Sequence, residues 1–448
     1  MLRAYALHIH KPSEDMSDTN IVIGAGITGL TAAITLQNAG KKVVVVEASE
    51  RPGGRLVRIE RNGDAAEAGG QGIHSNYRDM LGLIRAEGLG GDLMPQLNHQ
   101  AGHLSRQGAL CYPKGNLGLA KLMGPRGTRD LAWFVTRYLM LSKKFDLFES
   151  SVDIPAYDNA TAAEAFSWAG EGFRDYVLRP AAHAMSNTTP EFTNFYFLLN
   201  LMKLVATTKV MTLRRGNASI AEHLAKKLDV RYGVGAKKIL TKKGDTEAVL
   251  LEDGKTLKAS HVILTAPMDR AAEIIPDDLI AEREFFSKFP NSPFVLVYFF
   301  LDRPLPTEAF VYVGHAFRDV AFNMAINHTV KTPHLVKSGK AIISAWSSFP
   351  RSAELIRKPD SEVIKQALNE IEVFFPGITG WVEEARVQRH NWGIARLSPG
   401  QHGKILKFKK NVEALSGISF AGNDYDGVHM ESGVRGGLRA AQRALKHK

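Results

Sequence analysis

The 448-residue sequence predicts an α/β fold, and three observations predict it. The apolar run Ile21-Val22-Ile23 passes directly into Gly24-Ala25-Gly26-Ile27-Thr28-Gly29, a Gly-x-Gly-x-x-Gly turn. Thr31 to Ala39 reads as a helix, and a second apolar run, Val43 to Val46, follows it and ends on Glu47. A further apolar β-type run, His261 to Leu264, lies more than half the chain away. Its texture is that of a buried β-strand, so the first unit's sheet has a further candidate member far along the chain.

Each part of the first unit has a physical task in a Rossmann-type dinucleotide site. Gly24 allows the tight turn, Gly26 lets the backbone approach a pyrophosphate, and Gly29 lets the helix pack close to the strand. The helix start, at Ile27 and Thr28, turns free N–H groups and a positive dipole end toward phosphates. Glu47 sits about 20 residues on, where a carboxylate accepts hydrogen bonds from the adenosine ribose. Its charge suits a free 2′-hydroxyl and repels a 2′-phosphate, which selects FAD or NAD over NADP. The competing reading is an ordinary βαβ unit with a glycine turn and no ligand.

The residues that follow decide between the two cofactors. Glu47-Ala48-Ser49-Glu50-Arg51-Pro52-Gly53-Gly54-Arg55 resembles the second signature of the flavin amine oxidase superfamily, an acid followed by Arg-x-Gly-Gly-Arg. That superfamily includes amine oxidases, protoporphyrinogen oxidases and phytoene-type carotenoid desaturases. The resemblance implies FAD as cofactor, held at Glu47, Ala48, Gly53 and Gly54, with Gly70 and Gln71 further along. Arg51 and Arg55 are expected to bring charge to the diphosphate. Near the other end, Phe420-Ala421-Gly422-Asn423-Asp424, then Met430-Glu431-Ser432-Gly433-Val434, is similar to the superfamily's closing flavin motif. By that resemblance Asn423 and Asp424 lie beside the ribityl chain, and the backbone from Met430 to Val434, at Glu431 and Gly433 among others, faces the flavin ring and its C2 oxygen. The family usually has Glu or Asp directly after Ala-Gly. Here Asn423 stands there, and the ribityl contact is open between Asn423 and Asp424. Val230 to Ile239 resembles the strand pair that wraps the adenine, with Ala236 at a backbone contact.

These assignments divide the chain into an FAD-binding domain at 16–85, 213–270 and 408–448, and a substrate domain at 86–212 and 271–407. The first substrate segment reads as mostly helical and the second as an antiparallel sheet plus helices. The fold class is thus α/β, a Rossmann-type FAD-binding domain with an inserted mixed α+β substrate domain.

Composition bounds the rest. The single cysteine, Cys111, excludes an intrachain disulfide and a cysteine metal cluster, and no metal is expected. The formal charge of +11 is spread along the chain, with short clusters at Lys404, Lys407, Lys409 and Lys410 and at Lys446-His447-Lys448. No nucleic-acid module pattern is visible, so no nucleic-acid partner is expected. A solvated basic surface is the first reading, and loose affinity for anionic membranes the second. No apolar run reaches the ~18 residues of a membrane span. Residues 1–15 lack the apolar core of a secretory signal, and Met16 competes with Met1 as the natural start. A cytoplasmic location is expected, with peripheral membrane contact as a further expectation. Asp130 to Phe148 has apolar residues at helical spacing, among them Leu131, Phe134, Tyr138, Leu141 and Phe145. It reads as a core helix, with a basic membrane-surface helix as the alternative.

The middle of the chain carries the substrate. Glu191 to Leu204 reads as a buried helix after breaks at Pro180 and Pro190. Phe294 to Leu301 and Ala341 to Trp346 read as strands flooring an apolar cavity, with Phe317, Phe322, Met324 and His328 as candidate lining. In amine oxidases of the superfamily a lysine usually lies near flavin N5, on the strand that follows the returning nucleotide strand. The matching strand here, Ser292 to Tyr298, has none, and Lys288 precedes it. His390-Asn391-Trp392 resembles a tryptophan segment found before the closing motif in desaturase-like and protoporphyrinogen oxidase-like members. Trp392 lines the cavity or wedges the domains together. Trp392, His328 and Lys288 are the catalytic candidates. The reaction expected is hydride transfer from a small, largely apolar substrate to flavin N5, with oxygen or a quinone as electron acceptor. A flavin-containing amine oxidase is the alternative. A flavoprotein using FAD structurally, or for isomerisation without net redox change, is the third reading.

Overall fold

The computed structural model describes residues 19–97, 100–141, 146–242, 244–314, 318–425 and 427–446. Met16, Phe145, Phe317 and the Lys446-His447-Lys448 end beyond Lys446 lie outside the described residues.

Five strands form a fully parallel sheet in the order Asp229–Arg231, Lys42–Val46, Thr19–Ile23, His261–Leu264 and Ile418–Phe420. The strands come from four distant stretches, so this sheet is the point where the chain's two ends meet. Its central strands read as continuous apolar runs because helices cover both faces. Thr19–Ile23 and His261–Leu264 are buried at every position. The helix Ile27–Asn38 packs on one face, and the closing helix Met430–Lys446 packs across it.

A seven-stranded sheet lies beyond it, in the order Val382–Ala395, Asn291–Leu301, Ile342–Ser347, Phe322–Asn327, Val311–Val313, Ala101–Leu104 and Leu110–Cys111. All pairings are antiparallel except Val311–Val313 with Ala101–Leu104. Period-two alternation divides the long strand Asn291–Leu301 between two cores. Val295, Val297 and Phe299 pack with Val363, Ala367 and Ile371 of the helix Asp360–Ile371. Leu296, Tyr298 and Phe300 pack with Met324, Ile342 and Trp346, and with Val57, Ile59, Ala66 and Ala68.

Three local expectations change. Val230 to Ile239 is not one strand pair. Asp229–Arg231 joins the parallel sheet, whereas Ala236–Lys242 turns away into a separate three-stranded sheet with Asp245–Leu251 and Thr256–Lys258. Gly233, at φ +69°, makes the change of direction between them. The helix expected from Asp130 begins earlier, at Gly115, and runs to Leu141 with a break at Gly124 (φ +73°) before Pro125. Proline removes a backbone donor and crowds the preceding turn, so the periodic pattern continues across a kink rather than starting afresh. The helix expected from Glu191 begins at Phe195, where the Asn194 side chain accepts from the Phe197 N–H. No helix among the described residues is long and apolar enough to cross a membrane.

Candidate active site

The glycine turn closes against the strand that returns to it. Gly24 adopts φ +106°, and a Cβ there would meet Thr265 Oγ1 at 2.7 Å. A Cβ at Gly29 would stand 2.0 Å from the Gly24 carbonyl oxygen, so any side chain would push the helix off the strand. At Gly26, by contrast, a Cβ would point into open space. That is the surface a diphosphate needs beside the N-terminus of Ile27–Asn38.

Glu47 is held at the rim of this turn. One carboxylate oxygen accepts from the Ala25 N–H at 2.7 Å, and the other from the Ser49 N–H at 3.0 Å and the Ser49 hydroxyl at 2.7 Å. The Glu47 N–H donates to the Arg231 carbonyl, and the Val234 N–H donates to the Glu47 carbonyl. Exposed Ala48 and buried Ala236 thus lie on the two sides of one corner, as an adenosine site requires. A carboxylate hydrogen bond to ribose is worth about 1.5–3 kcal/mol, so Glu47→Ala is expected to weaken FAD binding about 10- to 100-fold. Titration of FAD into the stripped protein measures it. Glu47→Gln, which keeps one acceptor, should lose less.

The second glycine pair abuts the first. The Gly53 N–H donates to the Ala25 carbonyl at 2.8 Å, and a Cβ at Gly54 would lie 3.5 Å from Gly26 Cα. The two arginines expected to bring charge to the diphosphate have different protein partners. Arg51 is exposed and folds over its own loop, donating to the carbonyls of Pro52, Gly54 and Leu56. Arg55 turns to the closing motif: it donates to Asp424 at 2.8 Å, to Asn423 Oδ1 at 2.6 Å and to the Gly393 carbonyl at 3.3 Å. The second Asp424 oxygen accepts from Trp392 Nε1 at 2.9 Å. Asp424 is buried with both carboxylate oxygens engaged, whereas Asn423 is half-buried, with its Oδ1 held by Arg55. Trp392 is the polar wedge between sheet and closing motif, with Phe289 beside it at 6.4 Å.

The closing helix fits closely. A Cβ at Gly433 would meet Thr28 Oγ1 at 2.9 Å, and one at Gly70 would meet Leu56 at 2.6 Å and Met430 Sδ at 3.2 Å. Gly422 lies beside Tyr425, and the Val434 side chain is fully buried in the core under Ile27–Asn38. The Glu431 carboxylate does not face the cofactor site. It accepts from the Asp79 and Met80 N–H groups at 3.0 and 2.8 Å, capping the helix Arg78–Ala86, and pairs with Arg435 at 3.2 Å. A helix N-terminus leaves orphan donors, and Glu431 is spent on them.

Two catalytic candidates fall away from the site. Lys288 is a surface residue ion-paired to Glu284 at 2.6 Å, at the exposed end of the helix Ile280–Ser287. His328 is fully buried behind the sheet; its Nε2 pairs with Ser344 Oγ at 2.8 Å, and burial pushes it well below the ordinary histidine range. Met324 and Phe322 are core residues on opposite faces of the sheet. The hairpin Arg58–Arg61 and Asp64–Glu67 fills most of the face that was expected to floor a cavity. Phe294, partly exposed at one end of this face, packs edge to face on buried Trp346 at 5.4 Å.

A buried lysine escaped the sequence reading. Lys331 ends the short helix His328–Lys331 and donates to Gln71 Oε1 at 2.6 Å. Gln71 Nε2 and the Tyr298 hydroxyl both donate to the Glu67 carbonyl, at 3.0 and 2.6 Å. Burial pushes Lys331 down to about 8 against the pull of Glu67. Burial pushes Glu67 up to about 7, opposed by the Asn217 N–H and by Lys331. Its sequence neighbourhood, Asn327-His328-Thr329-Val330-Lys331-Thr332, is polar and gives no signal of a buried lysine.

Relatives agree with this geometry. The chain matches the family described as flavin containing amine oxidoreductase over residues 27–445. It is 22% identical over 468 residues to the coproporphyrinogen III oxidase of Bacillus subtilis, across 95% of this chain and 98% of that one. It is likewise 22% identical over 444 residues to a pseudooxynicotine dehydrogenase of Pseudomonas, across 94% and 83% of the two chains. A solved double mutant of putrescine oxidase superposes with a TM-score of 0.80 at 17% identity, over 96% of this chain and 99% of that one. The chain belongs to the flavin containing amine oxidoreductase family and is an FAD-dependent oxidoreductase.

Proposed function

We propose that this oxidoreductase oxidises or desaturates a largely apolar substrate, in the manner of porphyrinogen oxidation or polyene desaturation. One observation carries the reading. The end of the sheet beside Arg55, Gly393 and Asp424 carries partly exposed Phe294 packed on buried Trp346, and the strand Asn291–Leu301 has no lysine. When bound, FAD supplies the hydride acceptor. Glu47, the glycine turns and Asn423 would hold it, and this apolar end of the sheet would orient the substrate and exclude water. Amine oxidation is the second reading, and Lys331 is the observation that favours it: a lysine held by Gln71, with its proton affinity lowered by burial.

Anaerobic mixing with amines, porphyrinogens and polyenes, followed by flavin bleaching, tests the two. A porphyrinogen or polyene is expected to bleach the flavin, and oxygen or a quinone to restore its colour. Bleaching by amines alone would overturn the first reading.

A further inference from the structure

A cavity of about 260 Å³ lies between the helix Arg179–Ser186 and the segments at 318–323 and 348–351, just past Trp346 in the chain. Arg179, Arg318 and Arg351 line it together with Asp175 and Asp319. The three arginines differ in their partners. Arg351 is spent on both carboxylate oxygens of Asp319, at 2.8 and 2.7 Å. Arg179 pairs with Glu191 at 2.8 Å and lies 3.9 Å from Asp175. Arg318 forms no ion pair among the described residues. It donates to Asn323 Oδ1 at 3.2 Å and to the Glu370 main-chain oxygen, with Phe374 beneath it at 5.5 Å. The Glu370 carboxylate is itself taken by the Phe322 N–H and Gln366.

A second observation points the same way. Thr188 also lines the cavity, is fully buried, and leaves Oγ1 without a partner among the described residues. Buried polar atoms are satisfied in most structures, so an open one beside a guanidinium with no ion pair marks a place for a polar ligand. His183, which lines the cavity as well, hydrogen-bonds to the main chain of Trp346 and Ser347.

We propose that this cavity takes a carboxylate carried by the substrate, with Arg318 as its anchor and Thr188 as a hydrogen-bond donor. The guanidinium fork matches a carboxylate in shape, and Arg318, the lining arginine with no ion pair among the described residues, matches a monoanionic end. The substrate class is then an apolar acid, whose oxidisable part would lie along Phe294. This inference rests on the oxidation reading only for where that part lies. The binding itself is independent of turnover.

Calorimetric titration of the FAD-loaded full-length protein with decanoate, decanol and decylamine tests it. Decanoate is expected to bind at least about tenfold more tightly than the other two, the size of one charge-assisted contact. Arg318→Gln should lower decanoate affinity about tenfold and leave decanol unchanged, Arg318→Lys should restore part of it, and Thr188→Val should lower it by a smaller factor. If Arg318→Gln does not fold, the ligand series on the unaltered protein and Thr188→Val decide. Equal affinities across the series, absent decanoate binding, or decanoate binding indifferent to Arg318→Gln and Thr188→Val would each overturn the proposal. Flavin reduction plays no part in this readout, so failure here and failure of the oxidation reading are separately visible.

Discussion

Asp424→Ala is expected to lower thermal stability and to release FAD from the purified protein. Asp424 is 5% exposed, and its two oxygens receive Arg55 and Trp392 from segments far apart in the chain. Arg55 in turn spans the glycine loop, the Gly393 carbonyl and Asn423. One ion pair therefore ties the first FAD segment, the long sheet and the closing motif at a single point. Removing one partner of a fully buried pair costs about 3–5 kcal/mol, because the other charge stays behind without its counter-ion. The Arg55 side chain is 34% exposed, and water screens part of that loss, so about 2–3 kcal/mol is the better expectation. Asp424→Asn keeps an acceptor for Trp392 and loses the charge alone, so it should fall between wild type and Asp424→Ala. Thermal melts of stripped and FAD-loaded protein measure both effects. The loaded protein should lose more than the stripped one, because FAD binding no longer contributes its share. Equal melts for Asp424→Ala and wild type would show that the cluster holds nothing together.

How much of this site was legible depends on how local each signal is. Gly24, Gly29 and Glu47 act within one βαβ unit, where residue type at a fixed spacing states its own physical reason. The same holds for Gly53 and Gly54, which pack on the first turn. The side-chain partners of Glu431 and Arg51 were not legible, because a motif fixes where the backbone runs and not where a long side chain finds its partner. Glu431 met the orphan N–H groups of Arg78–Ala86, some 350 residues earlier, and Arg51 met the carbonyls of its own loop. The strand Asn291–Leu301 was plain from its run of β-formers, yet its second face was read as open. The hairpin that fills that face is short and polar in pattern, with Arg58, Glu60, Arg61, Asp64 and Glu67 around its apolar residues. Lys331 was invisible for a further reason: Gln71, which receives its proton, is 260 positions away, and only the tertiary fold brings them together.

The double replacement Glu67→Gln with Lys331→Met is expected to be at least as stable as wild type near pH 7.5, whereas Lys331→Met alone is expected to lose about 1–3 kcal/mol, because it leaves Gln71 Oε1 without its donor. Both groups are fully buried, and burial disfavours the charged form of each. Lys331 is pushed from its ordinary 10.5 down to about 8, so the folded lysine gives up its proton before the unfolded one does. Between those values the unfolded chain binds more protons, and stability rises with pH; that gain is lost as pH falls through about 8. Glu67 is raised from 4.5 to about 7, so its contribution is full below the ordinary value and is lost as pH rises through about 7. The two slopes leave wild type least favoured, relative to the neutral double variant, between about pH 7 and 8. Denaturant melts across pH 4–10 should show that minimum in wild type and a flat difference in its place in the double variant. The double variant also isolates chemistry from folding. If Lys331 only supports Gln71 behind the cofactor site, flavin reduction should stay within about threefold of wild type, and Lys288→Met, on the surface, should change nothing. A loss of about 10² or more is the size of a missing proton-transfer group. That result, in a protein that folds and holds FAD, would place Lys331 in the reaction and move the chain toward amine oxidation.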